Sequence, residues 1–365
     1  DRVSDRVSDR RGLTARPGRV VAVGDEQRQA LRAAKLAALI RAAGAPGVDV
    51  SAIEPAGGAA SAVVVGPVAH LLTEQAGPGA VSGALLWADR HGASSVRLYV
   101  DDLAGDVARW ATLFDADVEV RQVTGASSVP ATAEPPTTGT PGAVADDAAS
   151  RAELRDAGLD VVEEHGVVTG EVRGLEVARL VVWPASTGGD DAVHIEAGVG
   201  RFDRDATAAM HDGESPDATL RRAIDLVEKH RTARTPTHPL ALMARERWLR
   251  HSVLERPALV GASELEPIAT TVLRTSVREP SPAAALGRGA DGSALVVVCS
   301  VGADLSLVPV ATDTRAQVAP DATLVLVVPE RDRLPSTERL VSMARGAVEL
   351  RSVTVPWETA PEATS

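Results

Sequence analysis

Short apolar runs, each the length of one β-strand, alternate with segments of helical periodicity along most of this chain. The longest runs are "ALVVVC" at 294–299 and "TLVLVV" at 323–328, and both are far shorter than the roughly 20 residues that cross a bilayer as a helix. Between such runs lie stretches such as 26–44, whose Ala- and Leu-rich pattern predicts a helix that ends at Gly44. Similar patterns predict a short strand near 48–53, three strands over 160–198, and helices over 217–230 and from about 239 to 255. This alternation predicts an α/β fold with mixed sheets flanked by helices.

A stretch rich in Pro, Thr and Ala at 125–149 divides the 365 residues into two parts that are each long enough to bury a core. The stretch has almost no large apolar side chain, so it cannot bury enough surface to offset its ordering entropy, and we interpret it as a linker. The sequence thus predicts a disordered tail at 1–16, an N-terminal α/β domain at 17–124, the linker at 125–149, a C-terminal α/β domain at 150–356 with a helical insertion at about 203–256, and a disordered tail at 357–365.

Two segments suggest an internal duplication. "LYVDDLAGDV" at 98–107 and "VVCSVGADL" at 297–305 each place a small turn and an acidic residue between an apolar strand and the start of a helix. A duplication predicts that 96–123 overlays 294–328 and that both halves have one strand order. The alternative is that any two strand–helix units look alike in a chain so rich in Ala and Val.

Charge and rare residue types argue against several classes of protein. The net charge of −12 argues against a surface devoted to nucleic acid, and an aromatic content of 2% argues against platforms for stacked bases. The single cysteine, Cys299, lies within an apolar run, so we expect a buried side chain and no disulfide. With no leader visible, these features predict a cytoplasmic protein without a membrane partner.

Three glutamates lie on two predicted strands and on the helix that precedes them. Glu176 in "GLEVARL" and Glu196 in "HIEAG" lie on predicted strands, and Glu153 lies on the helix before them. The predicted order over about 150–330, a helix, three strands, a helix and a strand, resembles the restriction-endonuclease-like PD-(D/E)xK nuclease superfamily. The resemblance implies that the strand carboxylates bind Mg²⁺ or Mn²⁺ and that Glu153 is an accessory acid.

The same resemblance implies a lysine two residues after the last carboxylate, and this chain has Gly198 there. Its two lysines, Lys35 and Lys229, lie far from these strands in sequence. The resemblance therefore implies a degenerate fold that binds without cleaving. The alternative is a metal-dependent phosphodiesterase that uses Glu176 and Glu196 without the lysine.

A histidine beside Glu196 offers a second metal hypothesis. Because side chains alternate along a strand, His194 and Glu196 are expected on one face, and Asp203 follows a few residues later. One imidazole and two carboxylates could bind a divalent metal. The alternative is a solvated strand face, with Asp203 capping the next helix.

Two glycine-containing segments were considered as nucleotide sites. "GRGADG" at 287–292 precedes a strand, whereas a phosphate-binding loop follows one, so we interpret it as a surface turn. "CSVGAD" at 299–304 lies between a strand and a helix, but Asp304 places a negative charge where an anion binds. A nucleotide-binding α/β protein that uses this turn stays an alternative.

One segment, 217–256, is basic, with nine basic residues against five acidic ones. It predicts a contact for phosphates or for an acidic partner, including a weakly bound nucleic acid. The alternatives are a solvated helical face or contacts with another part of this chain. The residues predicted to make the contact are Arg221, Arg222, Arg231, Arg234, Arg245, Arg247 and Arg250.

Taken together, these patterns favour a non-catalytic binding or interaction module with no resident cofactor. The metal-dependent phosphodiesterase, which alone requires Mg²⁺ or Mn²⁺, and the nucleotide-binding protein are the alternatives.

Overall fold

A computed structural model describes residues 24–45, 47–136, 145–183, 192–199, 216–273 and 280–358. The helices in this part are α1 Asp25–Ala42, α2 Pro78–Arg90, α3 Ala104–Ala111, α4 Ala148–Asp156, α5 Pro216–His230, α6 Pro239–Leu242, α7 Arg245–Glu255, α8 Leu307–Val318 and α9 Pro335–Met343. Together with the three sheets below, they confirm the predicted α/β fold with helices flanking mixed sheets.

The strands form three sheets of six, four and five strands, each in sequential order. The first contains β1 Glu54–Pro55, β2 Ala60–Val65, β3 Val68–Thr73, β4 Ser95–Val100, β5 Asp117–Thr124 and β6 Ser127–Pro130. The second contains β7 Asp160–Glu164, β8 Val167–Val172, β9 Leu175–Trp183 and β10 Ala192–Ala197. The third contains β11 Ala262–Ile268, β12 Ala283–Gly289, β13 Ala294–Cys299, β14 Thr323–Pro329 and β15 Val348–Val353.

The five strands of the third sheet share one topology with the first five strands of the first sheet. In each, the first three strands pair antiparallel, and the third, fourth and fifth strands pair parallel. Helices α2 and α3 connect the parallel strands of the first sheet, and α8 and α9 connect those of the third. Helix α1 packs on the opposite face of the first sheet, and α7 does so on the third. Both sheets are therefore covered by helices on both faces.

The two topologically equivalent units pack against each other through α2, α3, α8 and α9, which share one apolar core with both sheets. Phe114, just after α3, and Ala344, just after α9, form an antiparallel bridge. Two backbone hydrogen bonds flank this bridge: Asp115 N to Met343 O at 2.7 Å, and Arg345 N to Leu113 O at 2.9 Å. Because each unit donates one bond and accepts one, the contact has a local twofold relation.

Ion pairs follow the same relation. Arg109 of α3 bonds Asp313 of α8, with Nε–Oδ1 at 3.2 Å, and Arg339 of α9 bonds Asp89 of α2, with Nε–Oδ2 at 3.0 Å. Each arginine lies five residues before its bridge residue, Phe114 or Ala344. The first pair is buried, and the second is largely exposed.

The predicted overlay of 96–123 on 294–328 is wrong by one strand–helix unit. The latter segment is β13, α8 and β14, in which the first strand pairs antiparallel on one side and parallel on the other. The strand with those neighbours in the first sheet is β3, so the topological counterpart is 68–100. The turn sequences compared at 98–107 and 297–305 therefore follow non-equivalent strands.

The second sheet is an antiparallel meander packed on α4 and α5. Its two tight turns each pair a non-glycine residue with a glycine at positive φ, namely His165 (51°) with Gly166 (75°) and Arg173 (49°) with Gly174 (76°). Positive φ at both central positions is typical of type I′ hairpins. A Cβ at Gly174 would lie 2.4 Å from the carbonyl carbon of Arg247, so this turn also needs glycine to approach α7.

Several predicted elements need correction. Over 160–198 there are four strands instead of three, and the strands of the predicted C-terminal domain at 150–356 form two sheets. The predicted linker at 125–149 contains β6, which pairs with β5. The predicted strand at 48–53 contains only a 3₁₀ turn at Val50–Ala52. The predicted tail at 357–365 begins with Trp357, which is buried and packs on Trp248 at 5.3 Å between ring centroids.

The outer domain boundaries stay predictions. Residues 1–16, most of the second predicted tail, and the start of the predicted helical insertion at 203 lie outside the described residues. Within the described ranges, no helix is both long and apolar enough to cross a bilayer.

Candidate functional site

The two predicted strand carboxylates lie on neighbouring strands, but an arginine lies beside them. Arg179 is the cross-strand partner of Glu196 and bonds both oxygens of Glu176, with Nε–Oε1 at 3.0 Å and Nη2–Oε2 at 3.2 Å. Residues three apart on a regular strand point to opposite faces. Here the register shifts between Gly170 and Glu171 of β8, which leaves an extra residue in β9 and brings Arg179 onto the face of Glu176.

The remaining predicted metal ligands do not assemble around this point. Glu196 accepts a hydrogen bond from Trp183 Nε1 at 3.3 Å, and the exposed ring of His194 packs against that of Trp183 in a tilted arrangement, with 4.5 Å between the ring centroids. Glu153 lies on the exposed side of α4, and Asp203 lies outside the described residues. No group of three His, Cys, Asp or Glu residues that could hold a metal ion occurs in the part of the chain that the structure describes.

The turn considered for nucleotide binding is filled by carboxylates of the chain itself. Gly302 N donates to Asp332 Oδ2 at 2.7 Å, and Asp304 accepts from Ser306 N at 2.8 Å and from Ser300 Oγ at 2.6 Å. These side chains occupy the positions at which a phosphate would accept hydrogen bonds. In the other segment, "GRGADG", the first three residues are the end of β12 and only 290–292 form the turn into β13, so the predicted surface turn is half as long as expected.

Cys299 is fully buried in β13, as predicted. Burial raises the pKa of its thiol to about 12, because a thiolate is poorly solvated in an apolar core. The thiol therefore stays protonated at neutral pH and does not provide a nucleophile.

Two arginines of the basic segment form a buried charge network with the second sheet. Arg247 and Arg250 of α7 both bond Glu164 and Glu171, with Arg247 Nη1–Glu171 Oε1 at 2.5 Å and Arg250 Nη2–Glu171 Oε2 at 3.3 Å. Burial raises the pKa of Glu164, but attraction by Arg250 and then Arg247 outweighs it, so that pKa lies below its usual range. This network holds α7, and with it the third sheet, against β7 and β8.

Two more arginines of the segment bind backbone carbonyls. Arg231 is fully buried and donates to the carbonyl oxygens of four residues, listed here with their distances: Arg173 2.8 Å, Leu240 2.8 Å, Met243 2.6 Å and Ala244 2.9 Å. Arg245 donates to Ala241 O at 3.0 Å and to Pro236 O at 2.7 Å. These contacts fix the irregular segment between α5 and α7. That segment includes Ala244 at a φ of +45°, where the helix predicted from 239 to 255 is broken.

Of the seven predicted contact arginines, Arg231, Arg245, Arg247 and Arg250 thus make contacts within the chain, an alternative that the sequence had left open, and Arg222 also has a partner. Arg221, Arg222 and Arg234 are exposed. The exposed face of α5 also carries Asp225 and Glu228. A nucleic-acid or acidic-partner contact along 217–256 stays a prediction.

A cleft of about 490 Å³ lies where the segment after α5, the β8–β9 turn and the end of α7 meet. Its lining includes three arginines, a histidine and one carboxylate, namely Arg173, Arg234, Arg256, His251 and Glu255. It has the volume of a pocket for a small ligand. The cationic side chains come from parts of the chain far apart in sequence, so the cleft exists only in the folded protein.

Each cation reaches the cleft for a local reason. Arg173 has positive φ in the β8–β9 turn, and its Nη1 donates to Arg231 O at 2.6 Å, which aims the guanidinium toward the segment after α5. Arg256 directly follows α7, where a positive charge is favoured by the helix dipole. His251, one turn earlier, bonds Asp160 Oδ2 through Nδ1 at 2.6 Å and lies 3.5 Å from Glu255 Oε1 through Nε2.

The arginines of the cleft differ from Arg247 and Arg250 in how they pair with carboxylates. Among the described residues, none of Arg173, Arg234 and Arg256 forms an ion pair with a carboxylate. By contrast, Arg247 and Arg250 share two glutamates. Unpaired guanidinium groups around one cavity are suited to an anion.

The contact residues predicted from the sequence include Arg234 but not Arg173, His251, Glu255 or Arg256. The one local signal was "RG" at 173–174, a turn dipeptide between two apolar runs that places an arginine at a hairpin end. Comparison with protein-family models, with curated proteins and with solved structures finds no match.

Proposed function

We propose that this chain is a non-catalytic binding module that holds an anionic ligand in the cleft. The observation that carries the proposal is the convergence of Arg173, Arg234 and Arg256 on one cavity without carboxylate partners in the described part of the chain. A phosphate group is the natural anion for such a site, because guanidinium groups bind phosphate oxygens through paired N–H donors.

Binding is favoured over catalysis by the state of the strand carboxylates. A catalytic metal needs ionised oxygens with free lone pairs, whereas Glu176 is already bonded by Arg179 through both oxygens. The guanidinium group of Arg179 stays charged at neutral pH, so its ion pair with Glu176 persists there. A degenerate nuclease-like fold over about 150–330 stays a prediction, and the phosphodiesterase stays the alternative.

We also infer that the first and third sheets arose by internal duplication. The inference is supported by their common strand order and orientation, by the bridge between Phe114 and Ala344, and by the ion pairs that lie five residues before it. The duplicated unit runs from the helix before the first strand to the fifth strand. The second sheet then lies between the two copies along the chain.

The first test measures the dissociation constant of pyrophosphate by isothermal titration calorimetry at about 20 mM salt. We expect Arg234→Glu and Arg256→Glu each to weaken binding at least about tenfold, because each removes a charge-assisted hydrogen bond and adds a negative charge. Arg221→Glu is the matched control, since it makes the same charge change on the exposed face of α5, outside the cleft. Its effect should stay within about twofold, and equal losses in all three variants would contradict a site in the cleft.

The second test concerns catalysis. The full chain is incubated with Mg²⁺ or Mn²⁺ and with single- and double-stranded DNA and RNA, and we expect no cleavage above background. The reason is that Arg179 occupies Glu176 and that Gly198 stands in place of the activating lysine. Turnover that Glu196→Gln abolishes would establish the phosphodiesterase instead.

A further inference from the structure

The cleft presents hydrogen-bond acceptors as well as cations. The side chain of Glu255 is 63% exposed and faces a cavity otherwise dominated by positive charge. Helices α5 and α7 both end at this cavity, the first at His230, two residues before Thr232, and the second at Glu255, directly before Arg256. The last carbonyl groups of a helix have no intrahelical partner and carry partial negative charge.

These acceptors select against a bare anion. A phosphate or pyrophosphate ion gains from the three arginines but is repelled by Glu255 and by the two helix C-termini. A ligand that carries hydroxyl donors beside its anionic group can satisfy both kinds of partner. Ser252 and Thr232 add hydroxyls to the lining, and Ser252 Oγ already donates to Trp248 O at 3.1 Å, so its oxygen can still accept.

Building on the proposed function, we propose that the ligand is a phosphate ester of ribose, with the phosphate on the arginines and the sugar hydroxyls on Glu255. Carboxylates are a common partner of ribose hydroxyls, because one carboxylate accepts from two neighbouring O–H groups. Trp248 and Pro356 provide the apolar part of the lining. A cleft of about 490 Å³ has room for a compact phosphate ester.

The same chemistry occurs in a free sugar phosphate, a mononucleotide and the 5′-phosphorylated end of an RNA. The test therefore measures the dissociation constants of ribose 5-phosphate, AMP and a short 5′-phosphorylated RNA. AMP and 2′-deoxy-AMP are compared directly, with pyrophosphate as the anion without hydroxyls. The proteins are the full-length chain, Glu255→Gln and, as an exposed acidic control on α5, Glu228→Gln, each checked for folding by circular dichroism.

We expect the full-length chain to prefer AMP over 2′-deoxy-AMP by about tenfold, the usual effect of one hydrogen bond to a charged group. Glu255→Gln should lower that ratio and bind pyrophosphate more tightly, since it removes a negative charge, whereas Glu228→Gln should change neither. Whichever of ribose 5-phosphate, AMP and the 5′-phosphorylated RNA binds most tightly shows whether the ligand is a free sugar phosphate, a mononucleotide or an RNA end.

Two results would overturn this inference, and they differ. If pyrophosphate binds but the wild-type ratio of AMP to 2′-deoxy-AMP is close to one, the ribose assignment is wrong and the anion site remains. If neither pyrophosphate nor any phosphate ester binds at about 20 mM salt, the proposed function fails and takes this inference with it.

Discussion

Replacing Arg250 with methionine is expected to lower the free energy of unfolding by about 3–5 kcal/mol, the usual cost of removing one partner from a buried ion pair. Arg250 is 1% exposed, and its loss leaves Glu164 and Glu171 in a buried site with Arg247 alone. The measurement is equilibrium unfolding in guanidinium chloride, followed by tryptophan fluorescence, since Trp248 lies on the same helix.

Arg351→Met is the matched control for this substitution. Arg351 pairs with Glu349 at the surface, with side chains 38% and 49% exposed, so we expect the free energy of unfolding to change by no more than about 1 kcal/mol.

If Arg250→Met does not fold, Glu171→Gln tests the same network with a smaller change of shape. Combining Glu171→Gln with Arg250→Met should cost less than the sum of the two single changes, because the buried carboxylate no longer lacks its partner. Equal effects of Arg250→Met and Arg351→Met would contradict the network.

Replacing Asp313 with alanine is also expected to lower the free energy of unfolding by about 3–5 kcal/mol. Asp313 is fully buried and accepts from Arg109 Nε at 3.2 Å and from Trp110 Nε1 at 3.0 Å. Its loss leaves two buried donors without that acceptor at the contact between the first and third sheets. Equilibrium unfolding is again the measurement, and the emission of Trp110 should change because its ring nitrogen loses its partner.

The fold itself supplies the control for this substitution. Asp89 makes the topologically equivalent pair with Arg339, but the two side chains are 36% and 50% exposed. Asp89→Ala should therefore lower the free energy of unfolding much less than Asp313→Ala does, because exposed ion pairs contribute little to stability. If Asp313→Ala and Asp89→Ala lower the free energy of unfolding by similar amounts, burial does not determine the cost of removing these carboxylates.

The sequence predicted best those elements that are determined by local pattern. The strands 294–299 and 323–328 and the helix 217–230 agree with the structure to within a residue. The strand β11 was missed because it is a mostly polar edge strand that contains Pro267, and β12 because its Ala and Gly residues have low β-propensity. The break in the helix at Ala244 follows from tertiary contacts of Arg231, which local periodicity does not report.

The candidate site was less predictable, because it depends on which charges are buried. In the sequence, Arg250 and Arg221 are equivalent members of a basic segment. Only the fold shows that Glu164 and Glu171 lie against the first and that the second faces solvent. Likewise, the alternation of side chains along a strand predicts the face on which Glu176 lies. It does not reveal the extra residue in β9 that lets Arg179 reach Glu176.

The contact between the first and third sheets has a consequence for how this molecule can change. In a pair of identical chains, any substitution at a twofold contact appears on both sides at once, so its two halves must stay alike. Here both halves belong to one polypeptide, and each position is free to differ from its counterpart, as Asp313 and Asp89 already do in their burial. The contact also forms at an effective concentration set by the connecting chain, so dilution does not separate its halves.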